Sequence, residues 1–98
     1  MADHLADLLE RVIDQASFLA FVDALASDFA LHRRLEASNP SPAYGHGALG
    51  WENGTIDAFL DAAHAWGQDT LGRQDFDHPG VSPWRRIAEM LYAGKGYE

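Results

Sequence analysis

Four stretches of this 98-residue chain carry apolar side chains at the spacing of one helix face, and none carries the apolar and polar alternation of a half-buried strand. Leu5, Leu8, Leu9, Val12 and Ile13 fall at i, i+3, i+4, i+7 and i+8, with Asp7, Glu10, Arg11 and Asp14 on the other side. Ser17 is placed to cap a second helix, expected to be the longest, with the stripe Phe18, Phe21, Val22, Leu25 and Phe29; the break Ser38-Asn39-Pro40-Ser41-Pro42 follows it. Thr55 caps a third, with Asp57 in its first turn, the face Ile56, Phe59, Leu60, Ala63 and Trp66, and Gly67 as its stop. Ser82 caps a fourth, which has Pro83 at its first helical position, Trp84, Ile87, Ala88 and Leu91 inward, and Gly94 at its end. Arg85 and Glu89, four apart, pair on its wet side. The expectation is an all-α fold: a small single domain, residues 1–98, of about four amphipathic helices with two long loops, 37–54 and 68–81. Connections of that length in so small a domain point to a functional loop or a further short element.

A chain this short hides roughly two thirds of its unfolded surface, and it has no cysteine with which to form a disulfide, a thiolate metal site or a thiol nucleophile. Helix packing has to supply the stability. With 47% of its residues hydrophobic and 22% charged, the chain has the composition of a globular domain rather than of a disordered tail. The N-terminal MADHLADLLERVID lacks the basic region and unbroken apolar run of a signal peptide, and no window is apolar for long enough to span a bilayer. A cytoplasmic protein without membrane contact is therefore expected, in which Asn53-Gly54-Thr55, a glycosylation sequon in form, reads as turn and cap. A net charge of −8 with scattered basic residues argues against a nucleic-acid binder. The acidic surface either serves solubility alone or steers a basic partner.

Several motifs call for a test against their context. Gly45-His46-Gly47-Ala48-Leu49-Gly50 matches the glycine fingerprint of a dinucleotide-binding turn, but Pro40-Ser41-Pro42 precedes it where a strand is needed, and Trp51-Glu52-Asn53-Gly54 delays the helix that should open at its last glycine. These glycines read as loop residues. Asp75-Phe76-Asp77-His78-Pro79-Gly80 opens like a calcium loop, yet its fifth position is Pro79 and its twelfth, where a bidentate glutamate belongs, is Arg86. Asp57, Asp61 and His64, at i, i+4 and i+7, form a line on one helix face that could bind a metal or do acid-base work, or could be a solvated face. No serine lies in a nucleophile elbow. No cofactor is implied, and no catalytic or metal site is assigned.

Trp51-Glu52-Asn53-Gly54-Thr55-Ile56-Asp57-Ala58-Phe59-Leu60, with Ala65-Trp66 and Asp69 after it, then Pro83-Trp84-Arg85, Ala88, Leu91 and the closing Tyr97-Glu98, resembles the hallmarks of a family of small uncharacterised bacterial proteins, a domain of unknown function. The helix from Ser17-Phe18 to Leu25 fits as well, while residues 37–50 and 70–81 carry nothing that aligns. The resemblance implies that the Trp-Glu-Asn turn and the terminal Tyr-Glu matter to the family and that the chain ends at its natural C-terminus. It transfers no activity. In physical terms, Asn53-Gly54 allows a tight turn, Trp51 staples that turn onto the third helix and Thr55 caps the helix. Alternatively, Trp51, Glu52 and Asn53 join Asp57, Asp61 and His64 in a recognition patch.

The sequence leads to a non-catalytic cytoplasmic binding or adaptor domain, whose acidic surface takes a protein partner of basic character through Trp51, Glu52, Asn53, Asp57, Asp61 and His64. Small acidic helical domains include toxin-neutralising immunity proteins, an analogy of size and charge only. The alternative is a metal-binding protein or small enzyme that uses Asp57, Asp61 and His64 with a loop histidine. Monomer and homodimer both remain open, with Tyr44, Phe76 or Tyr92 as residues that a second copy could cover.

Overall fold

Side chains at the helix starts set the boundaries of the elements. The computed structural model describes residues 4–39 and 49–97. In it α1 spans His4–Glu10, α2 Gln15–Ser38, α3 Ile56–Thr70 and α4 Pro83–Gly94, with no strand among the described residues. Asp14, not Ser17, caps α2. Its Oδ1 accepts from the Ser17 amide at 2.9 Å, and Ser17 Oγ in turn accepts from the Asp14 amide at 3.0 Å, a reciprocal capping box. The helix consequently starts before Ser17, and Ile13, expected inward, lies in the link from α1 and is 72% exposed. Thr55 Oγ1 accepts from the Ala58 amide and Ser82 Oγ from the Trp84 amide, so both of these caps stand where the sequence puts them. Ser82 Oγ also donates to the Ile13 carbonyl at 3.3 Å, tying the start of α4 to the link between α1 and α2.

Gly67 does not stop α3. Arg86 reaches across from α4 to donate to the Gly67 carbonyl at 3.0 Å and to Thr70 Oγ1 at 2.7 Å, and its guanidinium lies over the Trp66 ring. The last turn of α3 is thereby completed from outside its own sequence. Small residues on α3 let it approach α4 closely: Ala62 and Ala63 are buried, and Phe59 lies so near Gly94 that a Cβ there would sit 2.8 Å from the ring. Packing through Phe59, Ala62, Ala63 and Trp66 rotates the expected apolar face, leaving Ile56 80% and Leu60 55% exposed.

Helix α4 is the hub, packing against α1, α2 and α3. Its Ala88 is buried with Leu5, Leu9, Val12, Phe21, Leu25 and Trp51; Phe18 packs on Trp84 and Phe21 on Tyr92 around that cluster. The Arg85–Glu89 pair, 3.4 Å apart, is not on a wet face, because Arg85 also reaches Glu10 on α1. Between α2 and α3 the backbones stay apart, with no pair of Cα atoms within 8 Å among the described residues.

Of the two long loops, the first begins only after Ser38 and is described again from Leu49, so Pro40-Ser41-Pro42, Tyr44, Gly45, His46, Gly47 and Ala48 lie outside the described residues. The second, from Leu71 to Ser82, is a series of turns. There Gly72 takes a positive φ of 73°, and its amide donates to Asp77 Oδ2, which uses one carboxylate of the calcium-like segment to close the loop. No helix among the described residues is long and apolar enough to cross a membrane.

An apolar groove floored by the Trp-Glu-Asn turn

At the end of α4 the Tyr92 and Ala93 carbonyls accept from the amides that follow the helix, whereas those of Gly94, Lys95 and Tyr97 take their donors from the turn before α3. The Lys95 carbonyl accepts from the Glu52 amide at 3.1 Å and from the Asn53 amide at 3.3 Å. Asn53 Nδ2 donates to the Gly94 carbonyl at 3.1 Å and to the Tyr97 carbonyl at 3.2 Å. Tyr97 is held further by the hydrogen bond from its hydroxyl to Asp69, which raises the Tyr97 pKa by favouring the protonated phenol. The turn is thus a clamp on the C-terminal end of the chain. The left-handed residue at this place is Gly50, at φ 79°, rather than Gly54, whose φ is not positive; the last glycine of the dinucleotide-like motif thus turns the chain into Trp51.

Trp51 is 8% exposed and bridges three helices. Its Nε1 donates to Asp28 Oδ2 on α2 at 2.8 Å, and the same oxygen holds Lys95 Nζ at 3.0 Å, just past α4. Its ring packs on Phe29 of α2, at 4.7 Å between centroids, and on Phe59 of α3, at 6.0 Å. Trp51 therefore staples the turn to α2 as well as to α3, and it stands as a spacer where the two helices would otherwise meet. Beside Phe29 the structure adds a residue the sequence did not single out: His32 is buried, accepts from the Leu49 amide at its Nδ1, and fixes the chain's return.

Held apart in this way, α2 and α3 enclose a groove of about 450 Å³. Val22, Leu25, Ala26 and Phe29 form one wall, Ile56, Phe59 and Leu60 the other, with Trp51 and Leu91 beneath. The polar side chains that touch it are already engaged: Trp51 on Asp28, Asn53 on α4, and Thr55 on the Ala58 amide. Asp57 and Asp61 each follow a wall residue in sequence, one step of about 100° around the helix. Together with Asp23, which follows Val22 on α2, they put exposed carboxylates along the margins of the groove. At the far end Arg33 lies over the Phe29 ring.

Of the six residues singled out from the sequence, Trp51 and Asn53 form the frame, whereas Glu52, Asp57, Asp61 and His64 are exposed. Hydrogen bonds from the Thr55 side chain and from the Ala58 and Asp57 amides hold the Asp57 carboxyl below its ordinary value, so this group serves the helix start. Among the described residues no group of three or more potential ligands is arranged to hold a metal ion, and the metal or enzyme alternative built on Asp57, Asp61 and His64 gains no support. Sequence reasoning missed the groove because it assigned Ile56 and Leu60 to the core.

On the other side of α4, Trp66, Phe76, Tyr92 and Glu89 line a second cavity of about 580 Å³. Burial raises the Glu89 pKa despite Arg85 and Arg86 nearby. Phe76 packs on Trp66 and Tyr92 on Phe21, so these two rings, which a second copy could have covered, are already half-buried within one chain.

The described residues define a class: a small helical domain, built around α4, with an apolar groove bordered by carboxylates. The chain belongs to a family of unknown function, DUF7660, whose model matches residues 14–98. The match begins at Asp14, the cap of α2, and takes in the clamp and the groove; α1 precedes it. Among curated proteins and solved structures, none matches the chain.

Proposed function

We propose that this chain is a non-catalytic cytoplasmic binding domain that takes a basic protein partner on the acidic face of α3. The observation that carries this reading is the pairing of exposed Ile56 and Leu60 with Asp57 and Asp61 on one helix surface. Apolar area supplies affinity when it is covered, and the flanking carboxylates supply orientation and partner choice. The net charge of −8 steers a basic partner towards any face of the domain.

The test is capture from source-cell lysate with the wild-type protein beside an Asp57→Asn, Asp61→Lys variant, in which Asn at position 57 keeps hydrogen-bonding capacity at the helix start. Equal melting temperatures establish that both baits are folded. A basic protein that is retained by the wild type, released by moderate salt and lost from the variant supports the reading. Recovery of the same proteins by both baits, without salt dependence, refutes it.

A further inference from the structure

The groove between α2 and α3 bears on the form the partner takes. Resting on the acidic-face reading, we infer that the groove receives an amphipathic helix with basic flanks, belonging to a partner protein. The wall from Val22 to Phe29 spans seven residue-to-residue steps of α2, about 10 Å at 1.5 Å per residue, or two helical turns. That length suits apolar anchors at i, i+3 or i+4, and i+7 of a docked helix.

The lining selects among backbone conformations. Trp51 Nε1, Asn53 Nδ2 and Thr55 Oγ1 are spent on Asp28, α4 and the Ala58 amide. An extended or polyproline segment laid here would desolvate its own amides and carbonyls with nothing to meet them. A helix pairs those groups internally and presents only side chains.

Charge selects among occupants. A second copy would bring another net charge of −8 and set Asp57 and Asp61 of each chain close to carboxylates of the other. An anionic lipid surface would meet the same repulsion. Lys and Arg flanking the apolar anchors of a partner helix instead face Asp23, Asp57 and Asp61, all exposed.

The experiment uses a synthetic amphipathic peptide with Leu at i, i+3 and i+7 and Lys on its other face, beside the same peptide with a central proline. Binding is followed by calorimetry and by circular dichroism of the peptide. Two groove variants, Ala26→Trp and Leu60→Gln, change exposed wall residues and leave every carboxylate in place. The inference expects helix formation on binding, and about tenfold or greater weakening by the proline and by Ala26→Trp, with Leu60→Gln acting in the same direction. If Asp57→Asn, Asp61→Lys weakens binding but the proline and both groove variants do not, the acidic-face reading stands and the helix inference falls. If none of these changes matters, both fall. A wild-type dimer in gel filtration that Ala26→Trp converts to monomer would assign the groove to a second copy and also overturn the inference.

Discussion

Replacing Asn53 by Ala removes the donors that hold the Gly94 and Tyr97 carbonyls, at 3.1 and 3.2 Å, and leaves the backbone bonds from residues 52 and 53 to Lys95 in place. Each lost hydrogen bond is worth about 0.5–1.5 kcal/mol net, so the pair contributes about 2 kcal/mol. In a domain of this length each kcal/mol shifts the midpoint by about 4–8 °C, and thermal unfolding followed by far-UV circular dichroism should show a fall of about 8–16 °C. Asn53→Asp sharpens the test. The carboxylate is nearly isosteric but cannot donate, and it would face two carbonyl oxygens, so this variant should melt no higher than Asn53→Ala. A midpoint for Asn53→Ala within about 2 °C of the wild type, or an Asp variant more stable than the Ala variant, would refute the clamp.

Trp51→Ala should cost about 3–5 kcal/mol in urea unfolding, because it empties the space between Phe29 and Phe59 and leaves Asp28 with Lys95 alone; a loss below about 1 kcal/mol would contradict the spacer role. Two glycines in helices should respond in opposite directions. Gly67→Ala is expected to gain about 0.5–1 kcal/mol, since its Cβ would meet only the flexible Met90 side chain at ordinary contact distance, while Gly94→Ala should lose stability because its Cβ would press on the Phe59 ring at 2.8 Å and the Phe59 carbonyl at 3.0 Å. Glu89 sets a pH dependence: burial raises its pKa above the ordinary 4.5, so the folded chain holds the proton longer than the unfolded one, and stability declines as pH rises from there through the folded value. Glu89→Gln should match the wild type below that window and exceed it above, in urea titrations across pH; a constant difference at every pH would count against the burial penalty.

The parts of the fold that could be read from the sequence are those with local causes. Thr55 and Ser82-Pro83 start helices through bonds to residues two or three along, and Gly94 ends α4 as its position suggests. The start of α2 was misread because the usual order of a capping box is reversed, with the carboxylate at the cap and the hydroxyl three residues later. The other departures have non-local causes. Gly67 continues a helix because Arg86, nineteen residues away, bonds its carbonyl. Ile56 and Leu60 face outward because Trp51 holds α2 and α3 apart, and no periodicity within α3 records that spacer. The Trp-Glu-Asn turn could be located from the sequence, but the role of Asn53 could not, since its partners lie 41 and 44 residues on.

The clamp and the groove share residues, which gives the binding proposal a second consequence. Asn53 holds the end of α4, Lys95 just beyond it holds Asp28, and Asp28 holds the Trp51 indole that floors the groove. Loosening Asn53 should therefore disturb the groove locally before the domain unfolds. For a domain stable by about 5–15 kcal/mol, a loss of about 2 kcal/mol leaves nearly every molecule folded, and affinity for the amphipathic peptide would hardly change if unfolding were the only effect. If the groove is instead competent only while the clamp is closed, apparent affinity falls in proportion to the closed fraction. Peptide titrations of Asn53→Ala, run well below its melting temperature, separate the two cases. Severalfold weaker binding by a fully folded variant is expected; unchanged affinity would mean that Trp51 keeps its place through Asp28 and the flanking rings alone.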